Sequence, residues 1–142
     1  MARSKKTYDP ASELSNLQLL ADRGAGDDRV LKRCHGLHDL LVAKGALSAH
    51  ADERVRARTL RGALTQAAKS SAHPRVAIAI YLIGLADSQN NSDVAQTKTL
   101  GTPKGPRVAA AADFADYSTK TIREGEAEYL EDLRNALHDY LD

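Results

Sequence analysis

The chain has no tryptophan, one phenylalanine, one cysteine and one methionine among its 142 residues, and each scarcity closes a route. A lone cysteine, Cys34, cannot form an intramolecular disulfide, so stability must come from the core. A chain of this length buries roughly two-thirds of its unfolded surface and needs neither cross-link nor metal to fold, which predicts one compact domain over 1–142. Aromatic residues are 4% of the chain, against abundant Ala and Leu. That composition favours close-packed helices over a β-sandwich, where aromatic and β-branched residues are enriched, and predicts an all-α fold. No apolar run approaches the roughly twenty residues that a bilayer requires. The longest, VAIAIYLIGLA at 76–86, predicts a buried helix and no membrane span. The opening MARSKKTYDP lacks the apolar stretch of a signal peptide, which predicts a cytoplasmic protein. Also missing are a glycine-rich phosphate loop, a carboxylate pair in a pocket-like context and a Ser-His-Asp order; these absences argue against an enzyme.

The net charge of +1 conceals a polarised chain. Residues 29–75 carry ten Lys/Arg against three Asp/Glu, whereas 124–142 carry one Arg against seven Asp/Glu. Arg54, Arg58 and Arg61 fall at helical spacing and predict a cationic face. The final segment should repel phosphates.

Helix signals recur along the chain. Asp9-Pro10 starts a first helix with Leu14, Leu17 and Leu20 on one side, ending at Gly24. A second helix is predicted over 28–44, with Val30, Leu31, Cys34, Leu37 and Leu41 as its apolar stripe, and a third over 48–70. Pro74 opens a fourth, apolar nearly all round to Ala86, as a central helix would be. The N-terminal helical part, 1–86, is followed by a loop over 87–106, DSQNNSDVAQTKTLGTPKGP, which has no apolar period. Two more helices, at 106–115 and 119–141, complete a bundle of about six, the last one long and amphipathic.

The stretch RVAAAADFADYSTKTIREGEAEYL, 107–130, has the layout of a helix-turn-helix. Ala112 supplies the small residue at the helix crossing, Ala115-Asp116-Tyr117 the turn, and Ser118 the cap of the second helix. Ile122 then faces the core, so Thr119, Lys120, Thr121 and Arg123 project from the first turns, where a recognition helix meets the major groove. RVAAAADFADYSTKTIREGEAEYLEDLRNAL resembles the C-terminal helix-turn-helix of small actinobacterial proteins, with its Ser-x-[RK]-Thr-[VI]-Arg signature, and more distantly region 4 of sigma factors. With the preceding HPRVAIAIYLIGL the likeness covers about 73–138. It departs at Asp116, which replaces the turn glycine, at Glu124, which replaces a second basic residue, and at Gly125, where a hydrophobic residue would normally pack.

The resemblance implies a DNA-binding regulator of transcription, bacterial or phage, that binds double-stranded DNA. Ser118, Thr119, Lys120, Thr121 and Arg123 would meet DNA, with Lys104 and Arg107 as backbone contacts ahead of the motif. The alternative is a non-enzymatic all-α interaction module, such as an adaptor or accessory subunit of a phage or bacterial defence assembly. The apolar stripe of the last helix, Tyr129, Leu130, Leu133, Leu137 and Tyr140, must be covered by the other helices or by a second copy in a homodimer. Cys34, His35, His38 and Asp39 form the only cluster with ligand chemistry, but a structural zinc needs four ligands, usually in pairs from separate segments, so no metal and no cofactor are expected.

Overall fold

The computed structural model describes residues 13–71, 73–85 and 104–142. Within them the chain is all-helical, with seven helices and no strand. The helices are α1 (Glu13–Arg23), α2 (Asp28–Leu31), α3 (His35–Ala43), α4 (Glu53–Ser70), α5 (Pro74–Ile83), α6 (Lys104–Ala115) and α7 (Thr119–Leu141). No helix among the described residues is long and apolar enough to cross a membrane.

As its composition predicts, α5 occupies the centre. Val76, Ile78, Ala79, Ile80, Leu82 and Ile83 are all buried, and α1, α4, α6 and α7 pack around it. His73 caps its N-terminus, its Nδ1 accepting from the Arg75 amide, and Pro74 supplies the preset φ of a first helical residue. The helix stops at Ile83, short of the expected Ala86, in a Schellman motif. Leu85 N–H donates to Ile80 O and Gly84 N–H to Tyr81 O, both at 3.1 Å, with Gly84 at φ 85°.

Three further boundaries differ from expectation. The helix expected at 28–44 is two helices, broken at Lys32, Arg33 and Cys34. The cause is remote: Asn16 of α1 is buried, and its Oδ1 accepts from Leu37 N–H at 3.1 Å, capping α3 in place of a local side chain. The stripe Val30, Leu31, Cys34, Leu37 and Leu41 is nonetheless buried throughout. The third helix starts at Glu53, not Ser48, because Asp52 accepts from Val55 N–H at 2.9 Å and caps it, while Ser48 accepts from His50 N–H in a turn. The loop expected at 87–106 lies outside the described residues except for 104–106, which are already helical. The first helix is described from Glu13, so its expected start at Asp9-Pro10 also lies outside.

In α7, Tyr129, Leu130, Leu133 and Leu137 are buried against the chain's own helices, chiefly α4 and α5. The stripe therefore has its cover within one copy. Tyr140, near the end of α7, remains 43% exposed.

Candidate nucleic-acid interface

The joint between α6 and α7 is built by local chemistry. Tyr117 N–H donates to Ala112 O at 3.0 Å and Asp116 N–H to Asp113 O at 3.4 Å, the paired bonds of a Schellman motif. Asp116 sits at φ 62°, the left-handed conformation that glycine takes freely and Asp tolerates better than most residues. Three residues, Asp116 to Ser118, then separate the helices. Ser118 Oγ accepts from Thr121 N–H at 3.1 Å and lies 3.0 Å from Thr121 Oγ1, closing the cap of α7. Ile122 is fully buried and Ala112 nearly so, which seats the two helices against each other and fixes the direction of the first turns.

From that seat Thr119, Lys120 and Arg123 stand exposed. Ser118 and Thr121 are exposed too, their hydroxyls engaged with each other. The outermost line of α7 runs Lys120, Glu124, Ala127, Glu131, all exposed, with Lys120 Nζ 4.0 Å from Glu124. Gly125 is explained by Tyr129, one turn on. A Cβ at 125 would lie 2.9 Å from the Tyr129 ring and hydroxyl, so the glycine makes room for the phenol to lie back along the helix.

Lys104 and Arg107 are elsewhere. Although both precede the motif in sequence, α6 turns them inward. Lys104 pairs with Asp22 at 2.6 Å and Glu126 at 3.0 Å, and Gln18 Nε2 donates to the same Glu126 and to Asp22. Burial alone would lower the Lys104 pKa; hydrogen bonds to the two carboxylates outweigh it and raise it. Arg107 is 4% exposed. Its guanidinium donates to Ala21 O at 2.6 Å, to Asp22 O at 3.3 Å and to Leu82 O, the last carbonyls of α1 and α5. Burial depresses its pKa, with Asp22 and Glu126 acting the other way. A cation thus sits where two helices present their negative ends. Arg107 is placed to join the fold and not to touch a phosphate.

The acidic run of α7 is less free than the sequence implies. Glu126 is held by Lys104 and Gln18. Arg75, on the first turn of α5, donates through Nε to Asp132 at 2.8 Å and through Nη2 to Glu128 at 3.5 Å, and lies 5.8 Å from the centroid of Tyr129. Spacing alone could not reveal these partners, which belong to α1, α5 and α6. Near the first turns, the carboxylates without a cation from another helix are Glu124 and Glu131 among the described residues.

Other expected features resolve simply. Arg54 and Arg58 are exposed on α4, but Arg61 turns to Asp28 and to the carbonyls of Ala25 and Gly26, so the cationic face is two arginines wide. Cys34 is buried with Sγ toward Val30 O, its thiol pushed up to about 12 by burial. His38 is 1% exposed beside the edge of His35, with ring centroids 6.1 Å apart, and burial lowers its pKa to about 4. An open groove lined by Arg58, Gly62, Gln66 and Tyr140 lies at the far end of α7 from the turn. Comparison with known proteins finds no matching family model, no matching curated protein and no matching solved structure.

Proposed function

We propose that this protein is a sequence-specific DNA-binding regulator, cytoplasmic and non-enzymatic, that reads double-stranded DNA with the first turns of α7. The observation that carries the reading is the Ser118–Arg123 turn: a three-residue connection and a buried Ile122 leave Thr119, Lys120 and Arg123 on the exposed start of a long helix. The resemblance of 107–137 to actinobacterial helix-turn-helix segments points the same way. Neutralisation of Glu126, Glu128 and Asp132 by Lys104 and Arg75 supports it, since those carboxylates oppose phosphates less than their number suggests. α6 would cross the backbone, and Lys120 and Arg123 would meet guanine edges or phosphates. With two cations at the front, the salt dependence should be shallow, a slope of log affinity on log salt of about −2. Selection from random duplexes at stated salt tests the reading: one enriched sequence is expected, and recovery of unenriched DNA contradicts it.

The alternative, an interaction module, is favoured by a separate observation: Phe114 and Tyr117 are half-exposed.

A further inference from the structure

The chain has five Tyr and one Phe, and four of these six, Tyr81, Phe114, Tyr117 and Tyr129, belong to the helix-turn-helix or to α5, which packs against it. Tyr81 of α5 and Phe114 of α6 stack at 4.7 Å with an interplanar angle of 31°. Tyr117 follows in the turn. Tyr129 of α7 is buried, and its pKa is raised first by that burial and then by the Tyr117 phenol. Phe114 is 50% exposed and Tyr117 51%, the two most exposed large apolar side chains among the described residues. Tyr129 follows Lys120 by nine residues, about two and a half turns, so the two side chains leave α7 in opposite directions. Tyr129 meets Arg75 of α5, whereas Lys120 meets solvent.

Each exposed ring is preceded by an exposed carboxylate, Asp113 before Phe114 and Asp116 before Tyr117. Glu128 adds a third acid beside Tyr129, and the nearby cation, Arg75, is already engaged by Glu128 and Asp132. A soluble surface gains nothing from holding two rings half in water, while apolar patches rimmed by charge mark sites of protein contact. The charge here is negative, so it repels nucleic acid and acidic segments and attracts Lys and Arg. We infer that Phe114 and Tyr117, with Asp113 and Asp116, form a docking surface for a protein segment that carries an apolar anchor flanked by Lys or Arg. The inference does not rest on DNA reading by α7.

The test uses the full chain, isotopically labelled, titrated with a helical peptide of Leu and Lys and with a Leu and Glu peptide of equal length. The expected result is saturable binding of the Lys peptide alone, with resonances of Tyr81 and 113–117 shifting together. Phe114→Ser and Tyr117→Ser, both at half-exposed positions that the core does not need, should each weaken it about tenfold, as loss of a central aromatic contact does. Asp113→Asn with Asp116→Asn, which keeps a residue tolerant of the left-handed turn, should slow association and remove the preference for Lys over Glu. Equal binding of both peptides, or Lys-peptide shifts confined to Glu131 and Asp139, would overturn the inference. So would concentration-dependent shifts of 113–117 without peptide, which identify a second copy as the occupant, or saturable shifts centred on 113–117 when the peptide-free chain is titrated with duplex DNA, which identify nucleic acid as the occupant.

Discussion

The side chain of Arg107 crosses Gly84, its Cδ lying 3.1 Å from where a Cβ at that glycine would stand. The crossing lets one guanidinium reach the last carbonyls of α1 and α5, and Ala25 N–H completes the junction by donating to Ile83 O at 2.6 Å. Arg107→Met should leave those buried carbonyls without a donor and destabilise the protein by about 2–4 kcal/mol in denaturant unfolding. Gly84→Ala adds left-handed strain of about 1 kcal/mol and displaces the arginine. An unchanged midpoint for both variants would show that the junction contributes little.

Ile122 is fully buried where α6 meets α7. Ile122→Asp places a carboxylate in that buried seat, and a loss of about 3–5 kcal/mol is expected because a buried charge without a partner is not compensated. A thermal melt reads it directly; an unshifted midpoint would show that the seat of the recognition helix is misassigned.

His38 makes stability depend on pH. Its folded pKa is about 4, depressed by burial and by Arg56 and His35, against the partial relief of the Leu31 carbonyl and Asp39. Between about pH 6.5 and about pH 4 the unfolded chain binds a proton at this residue that the folded chain refuses, so stability present above that window falls as the pH is lowered through it. A shift of this size amounts to at most about 3 kcal/mol. Urea unfolding of His38→Leu across the window should show a flatter pH dependence than the parent; parallel curves would contradict the assignment.

The acidic residues of α7 should separate by partner. Glu126→Gln weakens the Lys104 pair and lowers stability, because Glu126 and Lys104 are largely enclosed with Asp22 and Gln18. Glu131→Gln, at an exposed position, should leave stability within about 0.5 kcal/mol. Equal effects from the two, measured by denaturant unfolding, would remove the polar cluster as a support of the motif.

Features set by neighbouring residues were legible in the sequence. Ser118 caps α7, Asp116 takes the left-handed turn and Ile122 points inward, each following from residues within one helical turn. Features set by distant residues were not. The break at Lys32–Cys34 depends on Asn16, and the fate of Glu128 and Asp132 depends on Arg75. Arg107 is a further case. The sequence reads it as a phosphate contact; the structure buries it with Val108, Ala111 and Ala112, and only the convergence of α1 and α5 reveals what it binds. Lys104 follows the same rule: a lysine before a helix-turn-helix looks like a phosphate contact, and only the structure brings Asp22, 82 residues earlier, beside it.

DNA reading by α7 is tested most directly by titrating a selected duplex with the parent, Lys120→Ala, Arg123→Ala and Glu131→Gln at one stated salt concentration. Loss of about 1–3 kcal/mol of specific binding is expected for each of the first two variants and none for Glu131→Gln. Equal affinity of all four proteins, unchanged by salt, would contradict it.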